Sequence, residues 1–340
     1  MNSDQKYQDK ISIVIPAYNE ADGITHSIYT ISDIVRACTP HWEIIIVDDG
    51  SSDAMFTQVF KLSSNNSHIK ALRFSRNFGK EAAILAGLQR ASGDAVITID
   101  ADLQHPPRLI PEMIEMWRAG AQVVDAVKRN RDQDSMLTKI RAKVFNTLLS
   151  LTSRIDIHNS SDFKLLDRVV VNAIIRELPE RGRFYRGLVN WVGYDHKTIL
   201  FDTESRVKGK GKWSVWGLIG LAIDAIVSFT SAPLRIVTIL GFATLIFGFF
   251  IVTDAFWSWL QGESISGFAT IIITELLIGS FIMISLGIIG EYIAKIYDEI
   301  KARPTYLVAD SVGFDSEDDT SKHVDKQICS SCGQPINPAN

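Results

Sequence analysis

Apolar positions in the first 130 residues fall into short runs divided by polar loops. Ile11–Ile15, Glu43–Val47, Ile69–Phe74, Val96–Ile99 and Gln122–Val127 are rich in β-branched residues and read as strands. Between them, about Ala21 to Ala37 and Gly79 to Arg90 have helical composition, the second stopped by Ser92-Gly93. Ser52 or Asp53 can cap another helix, Pro106-Pro107 can start one, and Asp167–Glu177 reads as a further helix. Strands alternating with helices predict an α/β domain built on a parallel sheet.

The pattern changes after Trp213. Ile236–Thr253 carries no charge, and flanking apolar residues extend it over 231–260. A second apolar stretch covers 265–292, interrupted early by Glu275. Each has the roughly 20 residues needed to cross a bilayer. Trp257 and Trp259 fall near one predicted interface, Tyr292 and Tyr297 near the other. The turn Gln261-Gly262-Glu263-Ser264 has no Lys or Arg, whereas Lys208, Lys210, Lys212, Arg235, Lys295, Lys301 and Arg303 lie outside the hairpin. That asymmetry predicts a multi-pass protein of the inner or plasma membrane with both termini cytoplasmic. Residues 213–230 are expected along the membrane interface, and 293–340 as a cytoplasmic polar tail, disordered from Asp310.

Candidate chemistry sits at the strand ends. Tyr18 and Glu20 follow the first strand, Asp48 and Asp49 the second, Asp100 and Asp102 the fourth. In a parallel sheet these ends share one edge, where open α/β sheets bind ligands. Oxygen donors at the Asp100–Asp102 spacing suit Mg²⁺ or Mn²⁺ on a phosphate. Basic clusters follow: Lys128, then Arg183 and Arg186, then Arg206, Lys208, Lys210 and Lys212 interleaved with Gly209 and Gly211. A flexible basic loop of that kind can close over a diphosphate. No GxGxxG or P-loop follows any strand, which argues against a dehydrogenase or an ATPase.

Composition narrows the partners. The 340 residues have a net charge of −4 and 22% charged residues, which points away from nucleic acid and from wholesale disorder. The three cysteines, Cys38, Cys329 and Cys332, make no disulfide framework, and the polar first residues indicate no cleaved signal peptide. Cys329 and Cys332 supply half of a zinc site, with a plain reduced tail the preferred reading.

Together, Ile15-Pro16-Ala17-Tyr18-Asn19-Glu20, Val47-Asp48-Asp49-Gly50-Ser51, Arg76-Asn77-Phe78-Gly79-Lys80, Asp100-Ala101-Asp102-Leu103-Gln104, Ser161-Asp162-Phe163 and Lys212-Trp213-Ser214 resemble the family 2 glycosyltransferases. The likeness is to the polyisoprenyl-phosphate branch, which includes dolichol-phosphate mannose synthase and bactoprenol glucosyltransferases. It implies a GT-A nucleotide-sugar-binding domain over 1–212, a mostly parallel sheet with helices on both faces, followed by the two-helix transmembrane hairpin. It implies that Pro16, Tyr18, Glu20, Val47 and Asp49 hold the nucleoside, with Asp100, Ala101 and Asp102 facing the diphosphate. Asp102 and Gln104 would take the metal, Mg²⁺ or Mn²⁺; Lys128, Arg206 and Lys212 would meet donor phosphates. Lys128 departs from the arginine usual in relatives, and so loses the bidentate fork. Asp162 would orient the acceptor or act as base, and Arg183 and Arg186 would bind its phosphate.

The implied activity is inverting transfer of a hexose, glucose favoured, from a nucleoside diphosphate, UDP favoured, to polyprenyl (undecaprenyl) phosphate. The product would be a lipid-linked sugar donor for cell-envelope glycans. N-acetylglucosamine, mannose and aminoarabinose are alternative sugars. A polysaccharide synthase is disfavoured because no Gln-x-x-Arg-Trp stretch is present, and a non-catalytic scaffold because Asp100, Asp102 and Asp162 are all retained. Relatives with this layout imply a homo-oligomer, a tetramer among the options.

Overall fold

A computed structural model describes residues 8–128, 161–181, 183–201, 232–261 and 267–314. Its elements are β1 (Ile11–Ala17), α1 (Ile24–Cys38), β2 (Trp42–Asp48), α2 (Met55–Asn65), β3 (Ile69–Phe74), α3 (Lys80–Arg90), β4 (Ala95–Thr98) and α4 (Ile110–Arg118). There follow β5 (Val123–Lys128), β6 (Lys164–Asp167), α5 (Arg168–Arg176), α6 (Tyr185–Trp191), β7 (His196–Phe201), α7 (Ala232–Leu260), α8 (Phe268–Ile300) and β8 (Val308–Val312).

The strands form one sheet in the order β7-β5-β6-β4-β1-β2-β3-β8. Pairs β1–β2, β1–β4, β2–β3 and β5–β7 are parallel; β4–β6, β5–β6 and β3–β8 are antiparallel. Alternation along each strand divides the core between the two faces. Ile13, Ile15, Ile44 and Ile46 join a cluster with Ile24, Ile28, Ile31 and Val35 of α1. Val14, Ile45 and Val47 join another with Ala82, Ala83 and Ala86 of α3. β1 and β2 are buried on both sides, so they read as continuous apolar runs. Helix α3 packs so close to β1 that a Cβ on Gly87 would overlap the Val14 side chain. A buried carboxylate, Glu43, ties three strands together: it accepts from Ser12 Oγ (2.6 Å) and the Ser92 amide (2.8 Å) and pairs with Lys70 (2.9 Å). Burial pushes its pKa up, but these partners outweigh that and hold it at about 2.

Helices α7 and α8 pack on each other and present Leu245, Phe249, Phe250, Ile271 and Leu276 to the outside. Pro233–Ser258 and Ile271–Ile300 are long and apolar enough to cross a membrane. Helix α8 runs beyond 292, to Ile300, where Asp298 O accepts from the Arg181 guanidinium at 2.9 Å.

One difference from the sequence reading is clear. The sequence predicts disorder from Asp310, yet Asp310–Val312 belong to an edge strand, Val308–Val312, on β3, and residues 315–340 lie outside the described residues. Tyr306 stacks on Phe74 at 4.8 Å and donates to Gln89 Oε1 at 2.5 Å. Backbone pairing and one aromatic stack hold this segment, so its polar composition gave no strand signal. Residues 213–230 and the Cys329–Cys332 pair lie outside the described residues.

Candidate active site

The strand order makes the site. β1, β2 and β4 run parallel, so the loops after Ala17, Asp48 and Thr98 open on one edge. β6 runs antiparallel to β4, with Thr98 opposite Lys164, so the residue two before β6, Asp162, arrives at that same edge. Helix α3 starts there too, because it follows β3.

The first two loops are stitched together. The Asn19 amide donates to Ser51 Oγ at 2.9 Å, and Asn19 Oδ1 accepts from the Ser52 amide at 2.9 Å. Asn19 takes a left-handed φ of 54° to do so. Gly50 (φ 71°) lies so close to the next loop that a Cβ would come within 2.5 Å of the Arg76 carbonyl carbon. Asp49 then accepts from the Phe78 amide (2.7 Å) and the Gly79 amide (2.9 Å), fixing the start of α3. Burial pushes the Asp49 carboxyl up, opposed by those amides. Its oxygens thus serve the loop as well as the cleft it lines.

That cleft has a volume of about 490 Å³ and is lined by residues including Tyr18, Glu20, Asp49, Lys80, Asp100 and Asp102. Pro16 and Ala101 also face it; Val47 is buried in the sheet core behind. Asp102 is exposed, and its Oδ1 accepts from the Gln104 amide at 3.1 Å across Leu103, whose φ of 52° bends the loop. Burial raises the Glu20 pKa, and the negative charges of Asp102, Asp53 and Asp100 raise it further. Carboxylates crowded on one cleft are what a divalent cation relieves, and hard oxygen donors fit Mg²⁺ or Mn²⁺. Among the described residues no group of three or more His, Cys, Asp or Glu forms a cation site by itself. Exposed on that cleft, the Asp102 carboxylate is a hard donor of the kind that suits a cation completed by substrate phosphate and water, as Mg²⁺ commonly is.

Lys80 joins this cleft to a set of ion pairs beside it. Asp162 is gripped by Arg186 through Nε (2.6 Å) and Nη2 (2.9 Å), and by Lys80 Nζ at 2.6 Å. Lys80 Nζ also lies 2.5 Å from Asp100 Oδ1, so it links Asp162 to the cleft. Burial pushes the Asp162 carboxyl up, but Arg186 and Lys80 outweigh it and hold it well below the usual carboxylate range. The Asp162 carbonyl accepts from Thr98 Oγ1 (2.5 Å), which in turn contacts Tyr185 Oη at 3.0 Å. Glu81 Oε2 accepts from the Tyr185 amide at 2.8 Å, anchoring the first turn of the helix that carries Arg186. Burial pushes Glu81 up to about 7.

Several expected residues fall elsewhere. Arg183, expected on an acceptor phosphate, instead donates to the carbonyls of Ile174 (3.2 Å) and Leu178 (2.5 Å) and caps the end of α5. Both Nη groups of Arg183 are thus engaged by backbone. Lys128 is the last residue of β5, while Arg206 and Lys212 lie outside the described residues. Lys80 and Glu81 were missed. A lysine and a glutamate at a helix start look like solvated residues; only the antiparallel return of β6 brings Asp162 to them.

Comparison with known proteins agrees in kind. The profile of glycosyl transferase family 2 matches residues 12–178. An uncharacterised glycosyltransferase of Synechocystis sp. is 42% identical over 90% of this chain and 96% of its own length. A bactoprenol glucosyl transferase of Shigella phage SfII is 37% identical, over 89% of this chain and 98% of its own. A glucosyl-3-phosphoglycerate synthase from Mycobacterium tuberculosis, solved with Mn²⁺ and UDP-glucose, is 20% identical over 65% of this chain and 78% of its own, with a TM-score of 0.45, too low to carry an argument.

Proposed function

The chain belongs to glycosyl transferase family 2 and is a glycosyltransferase, and from that premise we propose that it moves glucose from UDP-glucose to polyprenyl phosphate at a membrane surface. The single observation that carries the phosphate acceptor is the state of Asp162. An acid enclosed by Arg186 and Lys80 is a poor proton acceptor. Transfer to a sugar hydroxyl needs a general base, whereas a phosphate monoester, with its second pKa near ~6, is already ionised at neutral pH. Asp162 therefore orients cations in this reading and takes no proton.

The bond changes balance without a base. An oxygen of the lipid phosphate bonds to the anomeric carbon from the face opposite the leaving group. The bond from that carbon to the diphosphate oxygen breaks, and its electron pair leaves with UDP. The anomeric configuration inverts. Tyr18, Glu20 and Asp49 line the nucleoside side of the cleft, and Asp100, Ala101 and Asp102 the diphosphate side. Asp102 and Gln104 would hold Mg²⁺ or Mn²⁺, which supplies positive charge for the departing diphosphate. Arg206, Lys212 and Lys128 belong to the same proposal as donor-phosphate contacts. Arg186 is the remaining acceptor-side arginine.

The membrane assignment rests on the two long apolar helices and on relatives that match through them. A hairpin of α7 and α8 with both termini cytoplasmic would hold the cleft at the surface where a polyprenyl phosphate presents its headgroup. A homo-oligomer belongs to the same reading.

The test uses purified full-length chain, undecaprenyl phosphate and a panel of labelled donors with Mn²⁺. Label from UDP-glucose is expected in the lipid extract, ahead of UDP-N-acetylglucosamine and GDP-mannose. Activity that needs no lipid phosphate and survives removal of residues 231–303 would overturn the proposal.

A further inference from the structure

Two anions must approach each other in this reaction: the lipid phosphate and the donor diphosphate. Their repulsion has to be screened where they meet. Asp100 lines the cleft with Asp102, and Asp162, buried beside it, is paired with Arg186. One ammonium lies between them, Lys80 Nζ, 2.5 Å from Asp100 and 2.6 Å from Asp162. It lines the cleft, and its side chain is 42% exposed, so substrate can reach it. Its backbone is fixed, because Asp49 holds the Phe78 and Gly79 amides immediately before it. Asp162 has a second, bidentate cation in Arg186, so it stays neutralised if the ammonium turns toward substrate.

We propose that Lys80 is a catalytic residue whose ammonium sits between donor diphosphate and acceptor phosphate and screens one from the other. The proposal rests on the phosphate-acceptor reading above. It specifies a role that depends on the acceptor's charge. Transfer to lipid phosphate should need Lys80 far more than the slow transfer of the same sugar to water, because water brings no charge to be screened. Electrons and protons balance as in the proposed reaction: Lys80 contributes charge and gives up no proton.

The experiment compares Lys80→Met, Lys80→Gln and Lys80→Arg in the full-length chain. Three quantities are read: transfer to undecaprenyl phosphate, hydrolysis of UDP-glucose without lipid, and UDP binding. Lys80→Met and Lys80→Gln are expected to lose about 100-fold in kcat for transfer, the scale for removing one preorganised charge. Their hydrolysis should fall less than about tenfold, and their UDP affinity should stay within about threefold. Lys80→Arg, which keeps the charge, should stay within about tenfold of the native rate. Transfer by Lys80→Met within threefold of native, an equal fall in transfer and hydrolysis, or loss of UDP binding in both neutral variants would each overturn the proposal. A native chain that hydrolyses UDP-glucose but never glycosylates lipid phosphate would instead overturn the reading beneath it.

Discussion

The cleft and the ion-pair set beside it use carboxylates to opposite ends. On the wall formed by the loops after β1, β2 and β4, Glu20, Asp100 and Asp102 crowd one another, and Glu20 is pushed up by burial and its neighbours' charge. Beside the cleft, Asp162 is enclosed by Arg186 and Lys80 and pushed down. The carboxylates of the cleft outnumber the Lys80 ammonium that meets them, and suit a cation with a diphosphate. The ion-pair set already has positive charge and fits an anion that arrives ionised. A carboxylate's role here is set by what stands beside it more than by its own chemistry.

The largest expected effect comes from disturbing the crowded wall. Asp102→Ala should lower transfer by about 10²- to 10³-fold, and added Mn²⁺ should no longer stabilise the UDP complex in a thermal-shift series. Undiminished transfer would erase the contrast, because the cation would then be held elsewhere.

Next is Asp162→Asn. As a holder of Lys80 and Arg186, Asp162 should cost about 10- to 100-fold when changed, through misplacement of those cations. The pH–rate profile should keep its shape, because no proton transfer is lost; disappearance of an acid limb would show Asp162 to be the base. Stability adds a sign. A depressed carboxyl contributes stability above its unfolded pKa, near ~4, and loses it as pH falls through its folded value. The Asn variant should therefore melt below the native chain at pH 7, with the gap closing in acid.

Glu81 should behave in the opposite sense. Its folded pKa of about 7 lies above the unfolded value, so the native state keeps a proton that the unfolded chain releases. Native stability then carries a loss as pH rises from ~4 toward 7. Glu81→Gln, whose amide oxygen can still accept from Tyr185, should flatten the pH dependence of Tm across that window. An unchanged slope would place the titration elsewhere.

Arg183→Ala should have the smallest catalytic effect. It caps carbonyls of Ile174 and Leu178 and is absent from the lining of the cleft. Its KM for lipid phosphate should stay within about twofold while stability falls by about 1 kcal/mol. A large rise in KM would return it to the acceptor site.

The crowded wall was legible in the sequence because its residues follow apolar strands directly. Ile11–Ile15 and Val96–Ile99 announce where the sheet edge lies, and Tyr18, Glu20, Asp100 and Asp102 are the next polar residues. The ion-pair set was only half legible. Asp162 and Arg186 were picked out, but Lys80 and Glu81 reach Asp162 and Tyr185 through pairings across many residues, which no local pattern encodes. Arg183 shows the converse: a basic cluster looks alike whether its members face substrate or cap a helix. β8 was hidden for a third reason, since an edge strand held mainly by backbone needs little apolar sequence. The hairpin was plain from length and composition, and its helices are long and apolar as expected.

In this reaction the acceptor is a phosphate that needs no base. This is tested most directly by offering the purified full-length chain UDP-glucose with either undecaprenyl phosphate or undecaprenol, and following labelled glucose into lipid from pH 6 to 9. The account predicts transfer to the phosphate alone, with a rate that levels off once the phosphate is fully ionised. Comparable transfer to the alcohol, or a rate abolished across that whole range by Asp162→Asn, would contradict it.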